Sequence, residues 1–335
     1  MIINSGLRIG SGIKIGPVAT DLYSFTTFTF TNAAITGRTG PTLANCLASY
    51  NTVTNPWLTN TAFFNVITAG YQLWTVPATG SYQITATGAS GAAGQGGTRG
   101  VGARTTGTFS LTMSTKIIIG AGQLGTGVAT QCSGVYVSGG GGGCSFVLSE
   151  DLATVYMIAG GGGAPSATSQ HFTETDGQQN FNGAVYSNGQ GQRGHNGTSI
   201  GGARGSGGGG GGTGSGGCVN AGAGGGGYSS NGTASGDLAN SNGFSIRFGG
   251  ALGGNGVNGG NGGFGGGAGM SNYMGGGGGG YSGGGGGGIP SCACSGLGAG
   301  GGGGSLNNGT SPTNLGGSGV GTNLAINGTV IITKL

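Results

Sequence analysis

The sequence predicts an all-β protein in which a β-sandwich carries an inserted bundle of glycine helices. Glycine supplies 94 of the 335 residues, which excludes an all-helical domain because glycine is the poorest helix former after proline. Polar and apolar residues alternate in the first part of the chain, as they do in strands with one buried face. The glycines are concentrated late in the sequence, where 62 of the 94 follow residue 185.

Strand-like segments follow one another within residues 21–160. They are rich in aromatic and β-branched residues and are separated by Gly, Asn and Pro turns, a pattern typical of a sandwich. The segments are 25–30, 73–76, 82–86, 108–113, 116–119, 145–148 and 154–158. A last strand-like segment, Thr329–Thr333, has no partner near it in the sequence. We therefore expect residues 324–335 to close the same sandwich.

Residues 161–323 are predicted to form the glycine bundle. Runs of six glycines occur at 207–212, 275–280 and 283–288. A left-handed helix of the polyproline II type has three residues per turn and no internal hydrogen bonds. Every backbone N–H and C=O must then find a partner in a neighbouring helix, and glycine permits that approach because it lacks a Cβ. Ordering glycine has a high entropic cost, so we expect one cooperative bundle.

Charge and composition narrow the classes of function. Only 5% of the residues are charged and the net charge is +4, whereas disordered chains combine low hydropathy with high net charge. The ten Lys and Arg residues are scattered singly, which argues against a nucleic-acid partner. No apolar run approaches the roughly 20 residues of a membrane span, so no membrane insertion is expected. The first residues lack the apolar stretch of a secretory signal, which predicts synthesis in a cytoplasm without N-terminal export.

The sequence predicts no enzyme, no cofactor and no metal site. His171 and His195 lie in low-complexity segments, where a solvated loop position is favoured over a catalytic base. The Cys-x-Cys pair at 292–294 lacks the second pair that a structural zinc site needs, and Cys132 and Cys144 could face each other across a hairpin. Matches to Gly-x-Gly-x-x-Gly arise from composition and lack the strand–helix context of a nucleotide site.

Residues 1–20 are predicted to be an extended attachment arm with no core of its own. Its apolar residues are Ile3, Leu7, Ile9, Ile13 and Ile15. Such a segment is expected to pair with another subunit or with an anchor in a particle. Arg8 and Lys14 would keep its edge soluble before assembly.

Several motifs occur along the chain in a fixed order. They are the segments 28–31, 36–50, 71–84 (YQLWTVPATGSYQI), 157–163, 262–267 and 328–332. In this order, over residues 22–335, they resemble the extracellular glycine-rich domain of the anaplastic lymphoma kinase and leukocyte tyrosine kinase receptors. The resemblance implies a tumour-necrosis-factor-like, jelly-roll-type sandwich whose connections carry polyglycine II helices.

The sequence departs from that family in two ways. The family's cysteine partner of Cys46 falls at Ala33, so the family's disulfide is not expected here. The sequence shows no signal, membrane span or kinase domain, so a receptor is not expected either. A second likeness, to the polyglycine adhesins at the tips of phage tail fibres, rests on the free-standing glycine module and on the short Ile-Gly arm.

These observations favour a non-enzymatic virion protein, a tail-fibre or virion-surface subunit that contacts the host surface. The alternative is a microbial extracellular filament or matrix subunit with no ligand of its own. Expected partners are further copies of the chain, other virion or filament subunits and a host-surface molecule. A trimer is favoured by the tumour-necrosis-factor-like resemblance. The expected location is the virion, or the outside of the cell for the alternative.

Receptor contact is expected from aromatic residues and a histidine in the glycine region, since Tyr and His supply rigid contact area. The candidates are His171, Phe172, Phe181, Tyr186, Tyr228, Tyr273 and Tyr281. A structural role, in which each of these residues pins an edge of the bundle, is an equally open interpretation.

Overall fold

A computed structural model describes residues 21–94, 98–127, 129–131, 136–165, 176–177, 201–202, 205–207, 222–234, 238–256, 260–271, 274–288 and 298–335. The predicted arm at 1–20 and Cys132 lie outside the described residues, as do five candidate contact residues. These five are His171, Phe172, Phe181, Tyr186 and Tyr273.

The regular structure is almost all strand, which confirms the predicted all-β class. In chain order the strands are β1 (Thr27–Phe30), β2 (Phe64–Thr68), β3 (Tyr71–Thr75), β4 (Gly80–Thr87), β5 (Arg104–Leu111), β6 (Lys116–Gly120), β7 (Ala129–Gln131), β8 (Tyr136–Ser138), β9 (Ser145–Ser149), β10 (Val155–Ala159), β11 (Leu306–Asn307), β12 (Thr310–Leu315) and β13 (Thr329–Lys334). The helices are α1 (Leu43–Ser49), a 3-10 helix at Pro56–Thr59 and α2 (Gly317–Val320).

Two antiparallel sheets enclose the main core. The first has the strand order β1–β13–β4–β5–β12, and the second has the order β11–β10–β9–β6–β3–β2. The strands β7 and β8 pair with each other in a separate hairpin. Alternate residues of the strands point between the two sheets, as the period of two requires. Fully buried members of this core are Phe30, Phe64, Trp74, Tyr82, Ile84, Ile117, Ile119, Val147, Met157, Val330 and Ile332.

The C-terminal strand lies inside the first sheet, as predicted. Strand β13 pairs with β1 on one side and with β4 on the other, so that Ile332 lies opposite both Phe28 and Ile84. The C-terminal strand therefore joins two strands from the beginning of the sandwich.

Several short elements were not predicted from the sequence, among them β11, β12 and α1. Residues 306–315, assigned to the glycine bundle, instead belong to the sheets: β11 pairs with β10 and β12 pairs with β5. Helix α1 begins at a capping box, in which the Thr42 hydroxyl accepts from the Asn45 N–H and the Asn45 side chain accepts from the Thr42 N–H. Such reciprocal bonds satisfy two backbone donors that the helix itself leaves unpaired.

The outer face of the second sheet is covered by residues of the glycine region. All five residues of β3 are buried, because Trp74 points into the sandwich while Tyr71 and Leu73 point the other way. On that outer face they meet Ile246 and Phe264 in a second apolar core. The glycine region therefore packs on the outer face of the second sheet, whose inner face lines the core of the sandwich.

Backbone hydrogen bonds of the segment 275–280 have a period of three. Residues 275 and 278 donate to carbonyls at 298 and 301, residues 276 and 279 to carbonyls at 139 and 142, and residues 277 and 280 to carbonyls at 223 and 226. The N···O distances lie between 2.9 and 3.3 Å. Carbonyls of the same segment accept from 161 and 164, from 284 and 287, and from 268. Six neighbouring segments thus surround this one.

The sandwich has two distinct ends. Strand β4 begins at Gly80, close to the first described residues, where the Leu22 N–H donates to the Pro77 carbonyl (2.8 Å) and Lys334 Nζ lies 2.7 Å from Asp21 Oδ2. It ends at Thr87 and continues into the glycine segment at Gly88. Eight residues of strand separate the two ends by roughly 25 Å.

Candidate functional site

Two of the seven candidate contact residues, Tyr228 and Tyr281, lie within the described chain. Their rings stack with centroids 6.0 Å apart and planes inclined by 21°. The Tyr228 N–H donates to the Tyr281 carbonyl, and the Tyr281 N–H donates to the Gly304 carbonyl. Two neighbouring glycine segments therefore place the rings side by side.

Tyr228 is an anchor between the glycine region and the sandwich. Its side chain is 9% exposed, and its hydroxyl donates to the carbonyl oxygens of Leu152 (2.5 Å) and Ala153 (3.1 Å) in the turn between β9 and β10. Burial raises the pKa of the Tyr228 phenol, and the positive charge of Arg247 opposes that rise. Little of the Tyr228 ring is left for a partner.

Phe248, which follows Arg247 in the chain, was not among the contact residues predicted from the sequence. Among the side chains that the structure describes, Phe248 is the one exposed aromatic residue, with 72% of its surface accessible. A lone Arg-Phe dipeptide that follows Ile246 and precedes two glycines carries no sequence signal for exposure, because Phe is ordinarily a core residue.

Backbone hydrogen bonds hold the loop that carries Phe248. The Ile246 N–H donates to the Gly227 carbonyl (3.1 Å) and the Arg247 N–H to the Tyr228 carbonyl (2.9 Å). The Ile246 carbonyl accepts from the Tyr71 hydroxyl on β3. Three contacts thus tie residues 246 and 247 to the glycine region and to the second sheet.

The turn itself is closed by Ser245. Its N–H donates to Asn231 Oδ1 (2.8 Å), its Oγ accepts from the Phe248 N–H (3.2 Å), and its carbonyl accepts from the Gly249 N–H (3.0 Å). The chain leaves the turn through Gly250, which has a φ of +70°, a conformation that glycine adopts without strain. Phe248 is therefore exposed on an ordered turn.

The Arg247 guanidinium lies over two rings. Its Cζ is 5.9 Å from the centre of the Tyr228 ring and 5.1 Å from the centre of the Phe248 ring. Cation–π contacts of this kind contribute about 0.5–1 kcal/mol at exposed sites. Within the described part of the chain, the guanidinium makes no hydrogen bond or ion pair. Its N–H donors are left to solvent.

Arg247 interacts electrostatically with Asp151, in the turn between β9 and β10. The Ser149 hydroxyl and the Ala153 N–H both donate to Asp151 Oδ1, and these bonds, with a smaller contribution from Arg247, lower the pKa of Asp151. Asp151 therefore stays ionised at neutral pH, and its Oδ1 already has two donors.

Other polar groups show no catalytic arrangement in the described residues. Ser114, Lys116 and Glu150 line a shallow surface depression, where the Lys116–Glu150 pair (3.3 Å) is about half exposed on each side. Exposed pairs of this kind contribute little to stability. No group of three or more His, Cys, Asp or Glu side chains in the described chain could hold a metal ion.

The two described cysteines are buried free thiols. Burial raises the pKa of Cys46 and of Cys144 to about 12, so neither is a nucleophilic thiolate at neutral pH. Cys46 shares a core with Ala33.

No protein-family model matches the chain, and no curated protein is found to be similar to it. In the described residues, no helix has the length and apolar character needed to cross a membrane. The surface formed by Tyr228, Arg247, Phe248 and Tyr281, called here the Arg–Phe surface, is the candidate functional site.

Proposed function

We propose that this protein is a non-enzymatic structural and adhesion subunit of a virion, carried on a tail fibre or on the virion surface. In this proposal a tumour-necrosis-factor-like, jelly-roll-type sandwich bears a bundle of polyglycine II helices, and exposed residues on the bundle contact the host surface. The observation that carries the proposal is the set of interlocked glycine segments around residues 275–280.

The period of three in the hydrogen bonds of that segment supports polyglycine II helices. A helix with three residues per turn and no internal hydrogen bonds directs successive N–H groups toward three different neighbours. The segment 275–280 donates to three neighbouring segments in strict rotation and accepts from three more. A lattice of this kind is uncharged and densely bonded, which suits a scaffold exposed to proteases and to changing salt.

The placement of the first described residues supports attachment through the arm. Asp21 follows the arm directly and is bound by Lys334 at the end of the sandwich that has short turns. At the other end, the strands continue into glycine segments, as β4 does at Gly88. An anchor near residue 21 would place the glycine segment that follows β4 at the end away from the particle, while the Arg–Phe surface lies beside the second sheet, where Tyr228 binds the β9–β10 turn.

Immunogold electron microscopy tests this function. An antibody against the purified protein would be applied to virions and to cells from the same source. Label on virion appendages is the expected result. Label confined to cell-surface filaments would overturn the virion assignment in favour of the extracellular filament subunit, and label confined to the cell interior would overturn both.

A further inference from the structure

We propose that the Arg–Phe surface binds a saccharide that carries a carboxylate, with Phe248 stacking on the sugar ring and Arg247 pairing with the acid. This proposal rests on the host-contact function proposed above and names the chemical class of its ligand.

Phe248 supplies a flat apolar face that the folded protein leaves uncovered. The C–H groups on one face of a pyranose ring form an apolar surface of matching size, and stacking removes both surfaces from water. The serine-closed turn holds the backbone of Phe248 in place before binding, so little loop freedom remains to be lost.

Arg247 supplies the positive charge and the hydrogen-bond donors that orient the acid group of the ligand. A guanidinium presents a planar fork of N–H donors that matches a carboxylate in two parallel hydrogen bonds. Its Cζ lies over the rings of Tyr228 and Phe248, while hydrogen bonds to an acid use the N–H groups at the edge of the guanidinium. Both interactions can therefore exist at once.

Neighbouring groups favour a saccharide over a protein or a polyanion. Ser229, Ser230 and Asn231 are exposed beside the loop, and each side chain makes one hydrogen bond within the protein. Their remaining hydroxyl and amide groups suit a hydroxylated ligand. A stable protein interface buries about 800 Å² on each side around an apolar centre, and one exposed ring does not supply such a centre. The Asp151 carboxylate repels a second negative charge and so disfavours densely charged polymers.

Binding to a defined panel tests this proposal with the full-length protein. The probes are immobilised galacturonate, glucuronate and sialic acid oligosaccharides, each paired with its methyl ester, and a glutamate oligomer of matched charge. The variants are Phe248→Ala and Arg247→Gln. The controls are Val53→Ala, which removes an exposed apolar side chain after α1, and Arg104→Gln, which removes an exposed cation on β5 in the other sheet. Unchanged thermal unfolding would show that each variant is folded.

We expect the intact protein to bind at least one carboxylated oligosaccharide and to lose affinity by about tenfold or more for the ester, for Arg247→Gln and for Phe248→Ala. The two control variants should bind as the intact protein does. The proposal is overturned if no carboxylated saccharide binds, if the glutamate oligomer binds equally well, or if the controls lose as much affinity as the site variants. None of these results changes the outcome of the immunogold experiment. A wrong proposal about the ligand can therefore be distinguished from a wrong proposal about the virion function.

Discussion

At the scale of single residues, Gly278 shows why some positions in the glycine segments leave no room for a side chain. A Cβ built on it would lie 2.3 Å from the carbonyl oxygen of Gly161, closer than Cβ atoms approach in proteins. The neighbour is backbone, and that backbone is fixed by its own hydrogen bonds, so it cannot move aside as a flexible side chain would.

We expect Gly278→Ala to lower the free energy of unfolding by about 3 kcal/mol or to prevent folding. The matched control is Gly80→Ala, where an added Cβ meets no atom within 4 Å and where the change should stay within about 0.5 kcal/mol. Thermal unfolding of the two variants measures the difference. Equal stability of both would show that the glycine segments are not close-packed.

Tyr71 links the second sheet to the loop that carries the Arg–Phe surface. Burial raises the pKa of its phenol above the ordinary value of about 10, so the folded protein keeps the proton while the unfolded chain releases it. The contribution of the protonated Tyr71 phenol to the free energy of unfolding is therefore complete below pH 10. Above that pH it falls by about 1.4 kcal/mol per pH unit for one such group.

Replacement of Tyr71 by Phe removes this pH dependence together with the hydrogen bond to the Ile246 carbonyl. We expect Tyr71→Phe to be less stable than the natural protein by about 1 kcal/mol at pH 8, with the difference vanishing near pH 11. Denaturant unfolding between pH 8 and pH 11 measures both values. A difference that is constant over this range would contradict a buried, protonated phenol.

At the scale of elements, strands with a clean alternation or a run of buried apolar residues could be predicted, whereas exposed and very short elements could not. Residues 82–86 and 329–333 alternate because one side of the first sheet faces the core, and both lie in strands. Strand β12 reads Thr-Ser-Pro-Thr-Asn-Leu and is almost wholly exposed at a sheet edge, so burial leaves no pattern in it. Helix α1 has only seven residues, too few for a helical period to stand out.

Strand β13 is the element on which the first sheet depends. It contributes Val330 and Ile332, both fully buried, and it is the strand that pairs with β1. We expect truncation after Asn323 to unfold the sandwich, because it removes two core side chains and leaves β1 with no neighbour in its sheet. A full-length variant, Thr333→Ser, keeps the strand and should melt as the natural protein does. A truncated chain with the same melting temperature would contradict this role.

At the scale of the whole molecule, the resemblance and the glycine composition anticipated an all-β chain with a glycine region, but not how the two parts join. The second core arises because Tyr71, Phe146 and Phe264 meet across 193 residues of sequence, and local patterns carry no record of such contacts. The same limit applies to the candidate site. The sequence left Tyr228 open as a contact or as a structural residue; in the structure it is largely buried and anchors the glycine region to the β9–β10 turn. Exposure of Phe248 depends on the turn that Ser245 closes.

The placement of Asp21 also bears on the predicted arm. Every strand of the two described sheets lies within residues 27–334, so a chain that lacks residues 2–16 keeps every described strand pairing. We therefore expect a chain lacking residues 2–16 to fold with an unchanged melting temperature and to lose its incorporation into particles, since the apolar arm is the predicted point of attachment. The fraction of protein that sediments with purified virions measures incorporation. The control, Lys334→Gln, breaks only the exposed ion pair with Asp21 and should be incorporated normally.

If the deletion variant enters particles as efficiently as the natural chain, attachment uses another surface. The Thr-rich outer face of the first sheet then becomes the place to examine, because Thr27, Thr29 and Thr313 leave it polar and open to a partner.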